Sequence, residues 1–145
     1  METSAMFSSA TDNWATPQYF FDQLDNEFFF TLDPCADEQN HKCLKYFTKE
    51  QDGLAQDWSG ERVFCNPPYG KVIKKWVEKC FKEVYAGDAQ LAVMLLPART
   101  DTKWFHEFIY NKAEVRFIRG RIKFGDGLNS APFPSMVVIF RSARG

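Results

Sequence analysis

Two consecutive prolines end an apolar run in RVFCNPPYG, Arg62 to Gly70, and they constrain the chain more than any other feature. Neither Pro67 nor Pro68 has an N–H to donate, so a sheet ladder cannot continue through them. A strand carrying Val63, Phe64 and Cys65 must therefore leave its sheet abruptly, presenting Asn66 and Tyr69 at the exit. Such a turn is either a structural stop or a site that holds an amide, a bare carbonyl and an aromatic face together.

The rest of the chain supplies the elements around that strand. Polar residues precede DNWATPQYFFDQLDNEF, where Tyr19, Phe20, Leu24 and Phe28 fall at helical spacing. Thr16 as cap and Pro17 at the first helical position predict a helix from about Pro17 to Glu27. FFFTLDPCA reads as a buried strand ended by Asp33-Pro34, and KCLKYFT as a second strand. In IKKWVEKCFKEVYAGD, Ile73, Trp76, Val77, Cys80, Phe81 and Val84 recur three and four apart, giving an amphipathic helix stopped at Gly87. AQLAVMLLPA is the most apolar run and reads as a strand buried on both faces. DTKWFHEFIYN predicts a short helix capped by Thr100 or Asp101, and EVRFIRGRIKF and PSMVVIFRS predict two closing strands. Strands alternating with helices and finishing as a strand pair predict a three-layer α/β domain with a mainly parallel sheet and a C-terminal antiparallel pair. Ligands of such sheets bind beyond the carboxyl ends of the strands. Asp33-Pro34, Asp57-Trp58, Asn66 to Tyr69, and Pro97 to Arg99 all sit at predicted exits and converge on one edge.

The 145 residues, 45% hydrophobic and 26% charged, fit one globular domain and exclude a disordered or membrane class. No apolar run approaches the roughly 20 residues a spanning helix needs. METSAMFSSATDN reads as a mobile lead-in over residues 1–13 rather than a secretory signal, with a single domain at 14–145. Four cysteines without such a signal read as reduced thiols, and the expected compartment is the cytoplasm. Cys35, His41 and Cys43 lack a fourth partner at zinc-like spacing, so no metal site is expected.

Charge is unevenly spread. Residues 1–60 carry 3 Lys/Arg against 11 Asp/Glu, whereas residues 111–145 carry 7 against 2. One surface can therefore face a polyanion that another repels. VRFIRGRIKF alternates basic and apolar residues, which places several basic side chains on one face. Arg99, Arg116, Arg119, Arg121 and Lys123 are thus candidates for phosphate contact. FGDGLNSAPFP, Phe124 to Pro134, is a candidate loop over an extruded base, with Asn129 and Ser130 available to read base edges.

The residue types of the NPPY turn suit one chemistry. The amino group on a purine ring is a poor nucleophile, because its lone pair is delocalised into the ring. Two acceptors that hold its two hydrogens favour a more tetrahedral nitrogen and free that pair. Asn66 offers a side-chain oxygen, Pro67 a carbonyl fixed by the ring of Pro68, and Tyr69 a flat face for stacking. Positioning suffices when the methyl to be transferred is already activated.

NPPY after an apolar strand resembles the S-adenosylmethionine-dependent amino-methyltransferases that modify adenine N6 in DNA. WATP with an aromatic helix, LDPCADEQNHKCLKYFTKEQDGLAQDW, FCNPPYG and FIRGRIKF…SAPFPSMVVIF, in that order, resemble the compact phage-type members. The likeness spans roughly Trp14 to Arg141. It implies a Rossmann-like methyltransferase fold, S-adenosylmethionine as cofactor, double-stranded DNA as partner, and direct transfer to a flipped adenine. It implies catalytic roles for Asn66, Pro67, Pro68 and Tyr69. Thr16 and Pro17 would lie against the methionine end of the cofactor, and Asp33 beside its amino group. Pro34, Cys35, Ala36 and Asn40 would continue that wall, while Asp57, with Trp58, would meet its adenine. DPCADEQN departs from many cofactor loops in having no glycine, a lack shared by the compact phage relatives. The turn also fits methylation of RNA or of a protein glutamine, and the fold fits a silent DNA-binding relative. Recognition sequence and oligomeric state are not legible in the residues.

Overall fold

The most apolar run of the chain becomes the centre of the sheet. In the computed structural model, which describes residues 14–125 and 130–142, strand β4 (Leu91–Pro97) is buried along its whole length. It pairs in parallel with β3 (Arg62–Cys65) and antiparallel with β6 (Ser135–Arg141). Its side chains alternate between two apolar layers, as the pleat demands. Leu91, Val93 and Leu95 pack with Phe21, Leu24 and Phe28 of helix α1 (Gln18–Phe28). Ala92, Met94 and Leu96 pack with Trp76, Val77, Cys80 and Val84 of helix α2 (Ile73–Tyr85). Each large apolar side chain so buried contributes about 1.5–3 kcal/mol.

Two further strands, β1 (Leu32–Ala36) and β2 (Lys45–Thr48), extend the parallel side, and β5 (Glu114–Phe117) forms the far edge. The order is β2-β1-β3-β4-β6-β5. The sheet is α/β, mixed and mostly parallel, with only β6 running against the others. The expected antiparallel pair of closing strands is present, and its second member is inserted between β4 and β5.

Local departures from expectation have local causes. Helix α1 buries Phe21, Leu24 and Phe28 and leaves Tyr19 exposed. Pro17 occupies its N-cap, and no side chain caps the helix. Strand β1 runs through Pro34 to Ala36, because a register irregularity between Asp33 and Ala36 absorbs the missing N–H. Strand β5 stops at Phe117. Gly120 turns the chain with a φ of 78°, and Ile122 and Phe124 join the apolar layer under α1. DTKWFHEFIYN closes as a π-helical turn, Phe105–Ile109. Trp104 is its N-cap and no side chain caps it, so neither Thr100 nor Asp101 does; just ahead of it Thr102 Oγ1 accepts from the N–H of Phe105 at 3.3 Å.

One contact fixes how the chain between β2 and β3 lies on the sheet. The single 3₁₀ turn Gly53–Ala55 presses against β1 so closely that a Cβ on Gly53 would stand 2.0 Å from the Pro34 carbonyl oxygen. Trp58, fully buried, donates its indole N–H to the Gly53 carbonyl at 3.0 Å and stacks near Trp76. Replacing Gly53 by Ala should cost about 2–4 kcal/mol, because backbone has to move on one side or the other. Replacing Gly60, whose φ is 76° with open space around it, should cost only about 1–2 kcal/mol of backbone strain. Urea unfolding of the two variants checks the ranking, and equal losses would mean the close approach carries no stability.

Candidate functional site

After β1 the chain crosses to β2 on one side and returns to β3 on the other, so strand order reverses between β1 and β3. Open α/β sheets bind ligands outside such a reversal. A cavity of ≈ 790 Å³ lies there. Asp33 to Ala36 line it from β1, Asn66 to Pro68 from β3, and Trp14 to Thr16 from the segment before α1.

The Asn66 side chain is held from behind. Its Nδ2 donates to the Trp14 carbonyl and to Thr16 Oγ1, the latter at 2.9 Å. A backbone carbonyl only accepts, so the amide must turn its NH₂ toward Trp14 and its oxygen the other way. That oxygen, Oδ1, is buried and has no hydrogen-bond partner among the described residues. A buried acceptor without a donor costs about 1–3 kcal/mol, and in a cavity wall such an atom is available to a ligand's donor. Thr16 therefore serves Asn66 rather than the helix it was expected to cap.

Tyr69 does not present a free face. It is 2% exposed, its hydroxyl donates to the Leu95 carbonyl at 3.0 Å, and its burial raises its pKa. The edge of Phe133 meets it with ring centroids 5.5 Å apart, and Phe133 in turn meets Trp14 at 5.2 Å. Trp14, Phe133 and Tyr69 thus form a run of edge contacts, and at 2% exposed Tyr69 has no free stacking face.

Asp33 is the one buried carboxylate among the described residues. Its Oδ2 accepts from the N–H of Lys42 at 2.8 Å, and no cationic side chain pairs with it among those residues. Burial raises its pKa to about 6, against the opposing effect of backbone N–H groups from Lys42 and Cys35. The Cys35 thiol is pushed up to about 12, by burial first and then by the Asp33 charge, so it is not a nucleophile at neutral pH. Among the described residues no three His, Cys, Asp or Glu side chains gather as metal ligands.

Several expected residues lie elsewhere. Pro17 is buried beside α1 and does not line the cavity. Asp57 is exposed and accepts from the N–H and hydroxyl of Ser59 at 2.9 and 2.6 Å. Trp58 is packed under the Gly53 turn, so neither residue of that pair reaches the cavity. Asp52, Gly53 and Leu54 line it instead, five residues earlier, and Asn40 lines it as expected. Asp52-Gly53 carries a turn signature that could have identified them; Asp52 has a φ of 54° and accepts from the N–H of Leu54.

The basic residues divide in two. Arg116 makes a two-pronged pair with Glu27, both bonds 2.7 Å, and a third bond to Glu114. That geometry ties β5 to α1 and leaves the guanidinium poorly placed for phosphate. Arg99 follows β4, and Arg119, Arg121 and Lys123 follow β5, whose carboxyl ends share an edge with that of β3. These four are exposed and form no salt bridge among the described residues. Ser130 is exposed on the same connection, and Asn129 lies outside the described residues. No helix among those residues is long and apolar enough to cross a membrane.

Comparison with known proteins adds to this geometry. A family model described as DNA N-6-adenine-methyltransferase (Dam) matches residues 3–145. A DNA N-6-adenine-methyltransferase of Haemophilus phage HP1 is 33% identical over 97% of this chain and 84% of its own length. One of Escherichia phage T1 is 33% identical over 74% of this chain and 44% of its own. The putative methyltransferase YfdM of Escherichia coli K12 is 42% identical over 40% of this chain and 71% of its own.

Asp33 gives a pH test. Its folded pKa lies above the usual carboxylate value, so the folded state holds the proton more tightly than the unfolded state does. Its contribution to stability is therefore fully present at about pH 4 and lost as pH rises through about 6. Relative to wild type, Asp33→Asn should gain on the order of 2–3 kcal/mol between pH 4 and pH 7. Unfolding at both pH values checks this, and a pH-independent difference would mean Asp33 ionises freely in the folded protein.

Proposed function

The chain belongs to the DNA N-6-adenine-methyltransferase family, and from that premise we propose how its cavity and its turn divide the work. It is an adenine-specific DNA methyltransferase: a methyl group passes from a donor to the N6 amino group of adenine in DNA. We read its sheet as Rossmann-like, because the order reverses between β1 and β3 and a single antiparallel strand enters beside β4.

The cavity fits S-adenosylmethionine. A buried carboxylate without a cationic partner among the described residues suits the ammonium of the donor's amino-acid end, and that pairing would favour the ionised form of Asp33. Pro34, Cys35, Ala36 and Asn40 continue the wall on that side, while Asp52 and Leu54 offer an acidic group and an apolar face for the adenosyl end. Bound there, S-adenosylmethionine supplies a sulfonium methyl that needs no further activation.

The observation that carries the reading is the partnerless Oδ1 of Asn66. Oδ1 accepts one hydrogen of the adenine amino group and the Pro67 carbonyl accepts the other. The nitrogen lone pair then attacks the methyl carbon in line as the carbon–sulfur bond breaks, its electrons leaving with sulfur. The alkylated amine sheds its extra proton to water, so no side chain has to act as a strong base. Pro68 holds the Pro67 carbonyl in place, and Tyr69, anchored through its hydroxyl, offers the base a rigid ring once Phe133 swings aside. Arg99, Arg119, Arg121 and Lys123, with Ser130, follow strands that end on the same edge of the sheet as β3 and are our candidates for contact with backbone phosphates.

Asn66→Ala should keep donor affinity and lower the yield of N6-methyladenine in double-stranded DNA by at least about 100-fold; retained turnover would sink the clamp. Converting Arg119, Arg121 and Lys123 together to Ala should weaken DNA binding and reduce the salt slope of log Kd by about 2–3. Arg116→Ala should leave that slope unchanged. A slope that responds to Arg116 and ignores the other three would reverse the assignment.

A further inference from the structure

We propose that Thr16 is a positioning residue for the methyl transfer: its buried hydroxyl fixes the plane of the Asn66 amide so that Oδ1 faces the adenine amino group. The proposal rests on the reading of Asn66 as the acceptor of that group. The terminal torsion of an asparagine is soft, with a broad two-fold profile rather than sharp staggered wells. What the amide touches therefore decides where its oxygen points.

Two contacts do so here, and they act differently. The Trp14 carbonyl can only accept, so it selects which end of the amide faces the segment before α1. One anchor alone leaves the amide free to pivot about the line between Nδ2 and that carbonyl. Thr16 Oγ1, 2.9 Å from Nδ2, takes the second hydrogen and stops the pivot. A hydroxyl donates as well as accepts, so it contributes the plane and not the choice of end.

Three observations set this role apart from ordinary helix-start chemistry. The N-cap of α1 is Pro17, and no side chain caps the helix, so the Thr16 hydroxyl is not spent there. Thr16 is 5% exposed although it lines the cavity, so water does not compete freely for its oxygen. The segment that carries it is itself clamped. The Ala15 carbonyl accepts from the N–H of Gly125 at 3.0 Å. The Trp14 ring meets Phe124 and Phe133 edge-on, at 5.5 and 5.2 Å. A hydroxyl mounted on such a segment holds its position, as an anchor must.

Thr16→Val keeps the side-chain volume, removes the acceptor and leaves an Nδ2 hydrogen unpaired; Thr16→Ser keeps the acceptor and removes a methyl. Single-turnover methylation of an adenine-containing duplex, donor affinity by calorimetry and thermal midpoint are measured for wild type, both variants and Asn66→Ala. Thr16→Val should lose about 10–100-fold in the rate of transfer, the cost of a misaligned reacting group. Its donor Kd should stay within about 3-fold of wild type, and Thr16→Ser should recover the rate to within about 3-fold. A full rate in Thr16→Val overturns the proposal. So does a loss confined to donor affinity, which would make Thr16 a donor ligand, or an equal loss of rate in Thr16→Ser, which would make its methyl a packing element. If Asn66→Ala itself keeps its rate, the clamp fails and this proposal goes with it. If Asn66→Ala is inactive and Thr16→Val is not, the proposal fails alone.

Discussion

Burial of both faces of one strand sets the terms for everything else in the protein. Leu91–Pro97 has no side that water can reach, so cover has to be built above and below it. Helix α2 and the turn at Phe105–Ile109 provide one layer. Helix α1 has only 11 residues, and the layer beneath it is completed by Ile122, Phe124 and Ala131 from the connection between β5 and β6. That requirement draws the connection across the sheet to the residues before α1, where it holds Trp14 and Ala15. The same connection carries Arg119, Arg121 and Lys123. Core packing and these exposed basic side chains are thus supplied by one stretch of chain.

Two polar groups that line the same cavity remain unbalanced within this frame, and a third, the buried Ser135 hydroxyl at the start of β6, lies outside it. Asp33 is a carboxylate drawn out of water with only backbone N–H groups to steady it, and Asn66 holds an acceptor with no donor. Each costs the folded state something that an apolar residue would not. Sites of binding and catalysis are where such violations of local consistency are expected. Other charged groups find partners nearby in sequence, as Asp57 does in Ser59 and Glu78 in Lys82, or far along it, as Glu27 does in Arg116.

Much of this was legible from residue order. The apolar runs at Phe64, Leu91 to Leu96 and Met136 to Phe140 identify strands, and the double proline marks where one of them leaves the sheet. Asp33 and Asn66 follow from that, because parallel strands put their exits on one edge. What was not legible depends on distant partners. Glu27 and Arg116 are 89 residues apart in sequence, and nothing in VRFIRGRIKF shows that this arginine is already paired. Tyr69 is buried by Phe133, which arrives with a later connection. Asp57 looked like a strand-exit acid, whereas the positive φ at Asp52 turns the chain five residues sooner. The continuous apolar run Met136 to Phe140 suits an interior strand, but nothing local names β4 and β5 as the neighbours between which β6 enters.

The contact between Gly53 and Pro34 also decides how far the cavity can be reshaped. Both residues line it, and since a Cβ on Gly53 would stand 2.0 Å from the Pro34 carbonyl oxygen, no side chain can be placed at position 53 without moving backbone. That wall is fixed in the way a mould is fixed. Val72 differs: it lines the same cavity and is 39% exposed, and although its carbonyl accepts from the N–H groups of Lys75 and Trp76 at the start of α2, its side chain is free to be exchanged. Reshaping the cavity is therefore a matter of exchanging side chains such as Val72 rather than of moving the backbone beneath Gly53.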